Sequence, residues 1–154
     1  MRRRDTSRTR LAILGTVSLI VAGLLFAPIP SGHATDGRDF AGFYEATNPS
    51  DLGNGTFRVT LTVRIFNYSD ADVINATVAL SGNVDPEANY GSFSAVSMAD
   101  KESIKLSADF TVPAEEFNFW QNGGPPSLWI AYADADGNAV QRRIELVLSP
   151  GEGQ

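Results

Sequence analysis

Residues 56–67, TFRVTLTVRIFN, constrain this chain more than any other stretch. Phe57, Val59, Leu61, Val63 and Ile65 are apolar at every second position, and Arg58, Thr60, Thr62 and Arg64 stand between them. A period of two sends the two sets to opposite faces of an extended backbone. Such a stretch predicts a long strand with one buried side, and the remainder of the chain must supply what covers that side.

Similar patterns recur on both sides of it. Phe40 to Thr47 predicts a weak strand, and Asn48 to Gly55 is dense in turn formers and ends in Asn-Gly, a hairpin signal. Val73 to Leu80 alternates with Ile74, Ala76, Val78 and Leu80 on one face, and is expected to pair antiparallel with residues 56–67. Gly91 to Met98 reads as a short edge strand. Ser103 to Phe110 alternates through Ile104, Leu106, Ala108 and Phe110, and Pro113 ends it because proline cannot donate to a ladder. Residues 114–126 read as a long loop. Leu128, Ile130 and Tyr132 alternate again, and Asp136-Gly137 supplies a tight turn into Val140 to Leu148, where Arg142 breaks the apolar parity. About seven short strands with regularly spaced turns predict an all-β domain, a single antiparallel β-sandwich of two packed sheets over residues 39–149. A disordered tail is expected from about residue 149.

The first 34 residues follow a different pattern. Arg2, Arg3, Arg4, Arg8 and Arg10 form a basic head, residues 11–29 are an apolar run, and Gly32 and Ala34 end it with small side chains. These are the three parts of a secretory signal, with cleavage expected after Ala34. The alternative is an uncleaved membrane anchor at residues 11–29. The helix-breaking Pro28 and Pro30 and the Ala34 site favour cleavage, and either reading exports residues 35–154. The leader holds five of the 12 basic residues and one of the 18 acidic ones, which leaves seven against 17 and a net charge of −10. Such a domain repels phosphate backbones and anionic lipid, so nucleic acid is excluded as a partner, and a membrane is expected only through residues 11–29. The sequence has no cysteine, which fits a bacterial or archaeal envelope (periplasm, cell surface or medium) better than a eukaryotic secretory route. Asn54, Asn67 and Asn75 head glycosylation triplets that are taken as incidental.

The only histidine, His33, lies in the leader, so the exported part has neither His nor Cys. That removes Ser-His-Asp and Cys-His catalysis, Cys/His zinc sites and haem ligation by either residue. Glu115 and Glu116 are sequence neighbours and do not face each other on an extended chain. No enzymatic activity and no cofactor are expected. Asp134, Asp136 and Asn138 place oxygen ligands at alternating positions, as a calcium loop does, but the glycine stands at the fourth place where such loops have it at the sixth. A hairpin turn is the simpler account of the same residues, and no metal is expected there.

Phe117, Phe119 and Trp120 put three aromatics within four residues of the 114–126 stretch. Either they fold inward and plug the open end of the sandwich, or they stay exposed and contact a ligand or partner, since each ring can bury 150–250 Å².

Residues 60–80, TLTVRIFNYSDADVINATVAL, resemble the front of immunoglobulin-like modules of the fibronectin type III and CARDB (cell-adhesion-related) kind. There a V-x-V-x-N-x-G-like strand and bend precede a strand with hydrophobic alternation. Phe110-Thr-Val-Pro113 and Tyr132 to Gly137 resemble the end of the fifth strand and the last hairpin of those modules. The Cys pair of antibody-type domains is absent, and Tyr68-Ser69 stand where a glycine is usual. The resemblance implies an immunoglobulin-like sandwich, and modules of that kind serve many functions or act as spacers. The expectation is therefore a non-catalytic exported binding or structural accessory module of the cell envelope, engaging a protein partner or a larger envelope assembly. The alternative is a carbohydrate-binding module using the aromatics of residues 117–120.

Overall fold

A computed structural model describes residues 38–150. The expected leader with its expected cleavage after Ala34, the 11–29 anchor alternative and residues 151–154 lie outside the described residues. Seven strands and one helix run in the order β1 (Phe40–Asp51), β2 (Thr56–Asn67), β3 (Val73–Ser81), β4 (Asn89–Met98), β5 (Ser103–Pro113), α1 (Ala114–Gln121), β6 (Ser127–Ala133) and β7 (Ala139–Leu148). Among the described residues no helix is long and apolar enough to cross a membrane.

The strands form one sheet in the order β4-β3-β6-β7-β1-β2-β5. All pairings are antiparallel except one: β1 runs parallel to β7, with Gly42 opposite Leu146 and Tyr44 opposite Leu148. The expectation of purely antiparallel pairing is thus corrected to a mixed sheet. The cause is connectivity. The chain enters through β1 and leaves through β7 in the same direction, so once they become neighbours they must run parallel, and they join what would otherwise be two separate sheets. The expected pairing of β2 with β3 is also corrected. β2 lies between β1 and β5, and β3 lies between β4 and β6. The six-residue bend 67–72 takes the backbone across the core rather than back along its own edge.

Asn67 makes that crossing. It is fully buried, and its Nδ2 donates to the Ala71 and Ala99 carbonyls at 2.7 and 3.1 Å. Its Oδ1 accepts from the Ser69 N–H and hydroxyl at 3.0 and 2.7 Å. One side chain therefore satisfies backbone groups of two bends that no ladder reaches.

β2 is as its pattern predicts. Val59, Leu61, Val63 and Ile65 are fully buried in a single apolar cluster that draws on every strand and on α1. Close packing of β1 on β2 leaves no room beside Gly42, where an added Cβ would overlap the Arg64 carbonyl. β3 departs from its predicted parity. Ile74 is 70% exposed, whereas Val73 is buried together with Ala76, Val78 and Leu80. A bulge with Asn75 at φ 55° inserts an extra residue between Val73 and Ala76, so both point inward. Arg142, the exception in β7, is answered by Asp39, whose Oδ2 lies 3.0 Å from Arg142 Nε. Ser149, where a disordered tail was expected to begin, donates its N–H to the Tyr44 carbonyl at 2.8 Å.

The two ends of the sheet, β4 and β5, approach each other. Phe93 on β4 meets Phe110 on β5 edge to face at 5.3 Å. The sheet is therefore nearly closed around its core.

Candidate functional site

The 114–126 stretch, expected as a loop, contains helix α1. Pro113 ends β5, Glu115 and Glu116 occupy the first turn, where the helix dipole favours negative charge, and Gly123 at φ 88° closes the C-terminus. Gly123 and Gly124 donate to the Trp120 and Phe119 carbonyls at 3.1 and 3.0 Å. A helical turn brings Glu116, Phe117 and Trp120 to one side, and all three are buried. Phe117 stacks on Phe57 with ring centroids 5.1 Å apart. Phe119 faces the other way and is 40% exposed, its ring against Gly124. The three aromatics thus do not share one exposed platform. Phe117 and Trp120 close one end of the core, and only Phe119 is open to contact.

Glu116 holds this plug in place. Its Oε2 accepts from the backbone N–H groups of Asn83 and Val84 at 2.8 and 3.0 Å. Its Oε1 accepts from Asn83 Nδ2 at 2.8 Å and Trp120 Nε1 at 3.0 Å. Four donors surround a fully buried carboxylate and tie the β3–β4 loop to the helix. The helix is also tied by the Ala114 N–H, which donates to the Gly55 carbonyl at 2.9 Å, and by the Tyr44 hydroxyl, which donates to the Gly124 carbonyl at 3.2 Å. Burial pushes the Tyr44 phenol above its ordinary pKa, so it stays a donor.

Asp134, Asp136 and Asn138 form the β6–β7 turn. Asp134 Oδ1 accepts from the N–H groups of Asp136 and Asn138 at 3.0 and 2.8 Å, and Asn138 Nδ2 lies 3.2 Å from Oδ2. The Asn138 N–H and side chain, followed by the Asp136 and Gly137 N–H groups, hold the Asp134 carboxyl below its ordinary pKa. Both oxygens face donors inside the turn, which is an Asx-type hairpin arrangement. Among the described residues no group of three or more acidic, His or Cys side chains is placed to hold a metal ion.

A further constellation lies on the outward face of β7, β1, β2 and β5. One rung crosses the four strands as Val147, Phe43, Arg64 and Lys105. The next holds Glu145, Ala41, Phe66 and Ser103, and another holds Glu45, Thr62 and Ser107. Phe43 meets Phe66 edge to face at 6.1 Å, and Phe66 lies nearly parallel to Tyr68 at 6.1 Å. Phe43, Tyr68 and Val147 are exposed to 36%, 53% and 58%. Beside this row runs a groove of about 690 Å³ lined by Phe43, Glu45, Thr62, Arg64, Lys105 and Ser149. Arg58 stands further along the same face of β2, and Arg143 shares the outward parity of Glu145 and Val147 on β7. The face is therefore mixed in charge on a strongly acidic domain.

Sequence reasoning passed over this row, although its signal was present. Phe66 shares the even parity of Arg58, Thr60, Thr62 and Arg64, and the same parity extends to Tyr68. An aromatic in the polar set of an alternating strand points outward by construction.

No family model matches the sequence, and no curated protein matches it. Similar solved structures include a GH20 exo β-N-acetylglucosaminidase from Vibrio harveyi in complex with N-acetylglucosamine, at 12% identity and TM-score 0.40. The overlap covers 75% of this chain and 19% of that one, so the match spans about a fifth of the glucosaminidase. A Northeast Structural Genomics Consortium target overlaps at 8% identity and TM-score 0.41, over 75% of this chain and 89% of that one. A protein from Archaeoglobus fulgidus overlaps at 11% identity and TM-score 0.28, over 65% of this chain and 90% of that one. Overlaps this partial transfer no activity to the protein.

Proposed function

We propose that this protein is an exported, non-catalytic accessory module of the cell envelope that docks a protein partner on the outward face of β7, β1, β2 and β5. The observation that carries this reading is the row Phe43, Phe66, Tyr68 and Val147 beside the basic rung Arg64–Lys105. Exposed aromatics flanked by arginine match the composition of protein interface cores. Export rests on the basic head, the apolar run and the small residues ending at Ala34. The immunoglobulin-like reading rests on the single apolar cluster that all seven strands share within one nearly closed, mixed sheet. A carbohydrate platform built from residues 117–120 has less support, because two of its three rings are buried.

The test is gentle purification of the protein from its own cells, followed by size-exclusion chromatography of the wild type and of the Phe43→Ser, Tyr68→Ser double variant. Docking on this face predicts that the wild type elutes within a larger assembly and that the variant elutes alone with an unchanged melting temperature. A wild type that elutes as a lone domain overturns the reading.

A further inference from the structure

Two Asn-Gly pairs occur in the sequence, Asn54-Gly55 and Asn122-Gly123, and the fold treats them differently. Asn54 lies in the exposed turn between β1 and β2. Its side chain reaches forward over Gly55, so that Asn54 Oδ1 accepts a hydrogen bond from the Thr56 hydroxyl at 2.5 Å. That bond draws electron density from Cγ, which makes it a better electrophile. The Gly55 N–H makes no hydrogen bond among the described residues, while the flanking turn is pinned by Leu52 N–H to the Thr56 carbonyl and Gly53 N–H to Asp51 Oδ1. Gly55, at φ 77°, has no side chain to shield its nitrogen. Asn122 is held the opposite way. Its Nδ2 donates to the Asn118 carbonyl at 2.8 Å, and the Gly123 N–H donates to the Trp120 carbonyl at 3.1 Å. Both partners of the same reaction are engaged in the C-terminal cap of α1.

We infer that Asn54 is a site of spontaneous covalent modification, by deamidation through a cyclic imide, and that Asn122 is protected by the fold. This inference is independent of the proposed docking face. The Gly55 nitrogen gives up its proton to solvent base and attacks Asn54 Cγ. A new bond forms between that nitrogen and Cγ, the bond from Cγ to Nδ2 breaks, and ammonia leaves with a proton from water. One water then opens the five-membered imide at either carbonyl, giving aspartate or isoaspartate. The balance is one water consumed and one ammonia released, with no change of oxidation state. Isoaspartate adds a methylene to the main chain immediately before Gly55. The Gly55 carbonyl is the acceptor of the Ala114 N–H, so the modification reaches the first turn of α1 and the plug that α1 carries.

The experiment incubates the folded full-length protein at mildly alkaline pH and follows peptides containing residues 54 and 122 by mass spectrometry, with a sample in urea as control. The expected result is conversion at Asn54 at least about tenfold faster than at Asn122 when folded, and similar rates at both in urea. Thr56→Val slows the Asn54 reaction and Thr56→Ser restores it. Asn54→Gln, on an exposed turn, leaves the fold intact and abolishes the modification. Conversion at Asn122 as fast as at Asn54 in the folded protein, an unmodified Asn54, or a Thr56→Val rate equal to wild type each overturns the inference.

Discussion

Glu116 shows how much a single residue decides here. It was legible in the sequence only as half of an acidic pair. In the fold it is a buried acceptor for four donors from two segments. Removing it strands the buried Trp120 indole N–H and takes the acceptor from the Asn83 and Val84 N–H groups, while Asn83 Nδ2 keeps only the Pro125 carbonyl. Glu116→Ala is expected to lower the unfolding free energy by about 3–5 kcal/mol, read from urea denaturation followed by tryptophan fluorescence. Asp134 acts at the same scale through pH. Its folded pKa is lowered from 3.8, first by the Asn138 N–H. A depressed carboxyl contributes stability that is present above its unfolded pKa and lost as pH falls through the folded value. The β6–β7 hairpin is therefore expected to loosen only below pH 3.8, seen as faster amide exchange at Asp136 and Asn138. Asp134→Asn should abolish that acid dependence. Chelator should leave the melting curve at neutral pH where it was, since both carboxylate oxygens already have donors.

At the scale of the element, α1 is the part of the molecule that differs most from its sequence reading. Gly123, Gly124, Pro125 and Pro126 mark a loop correctly, but only after Gln121. The eight residues before them have a weak helical pattern by themselves, and an isolated helix of that length is not stable in water. Tertiary contacts hold it, through Glu116, through Phe117 on Phe57, and through the Gly55 carbonyl under Ala114. The two aromatic neighbours separate the roles of its faces. Trp120→Ala is expected to lower stability by about 3–5 kcal/mol, because it opens a cavity beside Glu116. Phe119→Ala should leave the melting temperature nearly unchanged. Equal losses from the two substitutions would mean that α1 does not orient as described. The bulge at Asn75 makes the same point for a strand. Its extra residue exchanges Ile74 for Val73 in the core, a swap of face that strict alternation does not contain.

At the scale of the molecule, the parallel contact of β1 with β7 and the edge contact of Phe93 with Phe110 wrap seven strands around one core. Because a single apolar cluster draws on all of them, unfolding is expected to be one cooperative transition. Phe110→Ala should lower stability by about 3–5 kcal/mol without splitting that transition, with far-UV circular dichroism and tryptophan fluorescence moving together. Two separated transitions would indicate that the two halves of the sheet fold apart.

The amino-acid sequence by itself determined the all-β class, the buried set of β2, the turns at Asn54-Gly55 and Asp136-Gly137, and the absence of any cysteine. Those follow from local rules: a period of two, the conformational freedom of glycine, and the absence of particular side chains. Only the tertiary structure decided which strands are neighbours, that β1 meets β7 in parallel, that residues 114–121 are helical, and that Phe43, Phe66 and Tyr68 meet on one outward face. These depend on contacts between residues far apart in the sequence. Strand pairing uses backbone groups that every residue shares, so alternation assigns a face to each residue but names no partner for the strand that carries it.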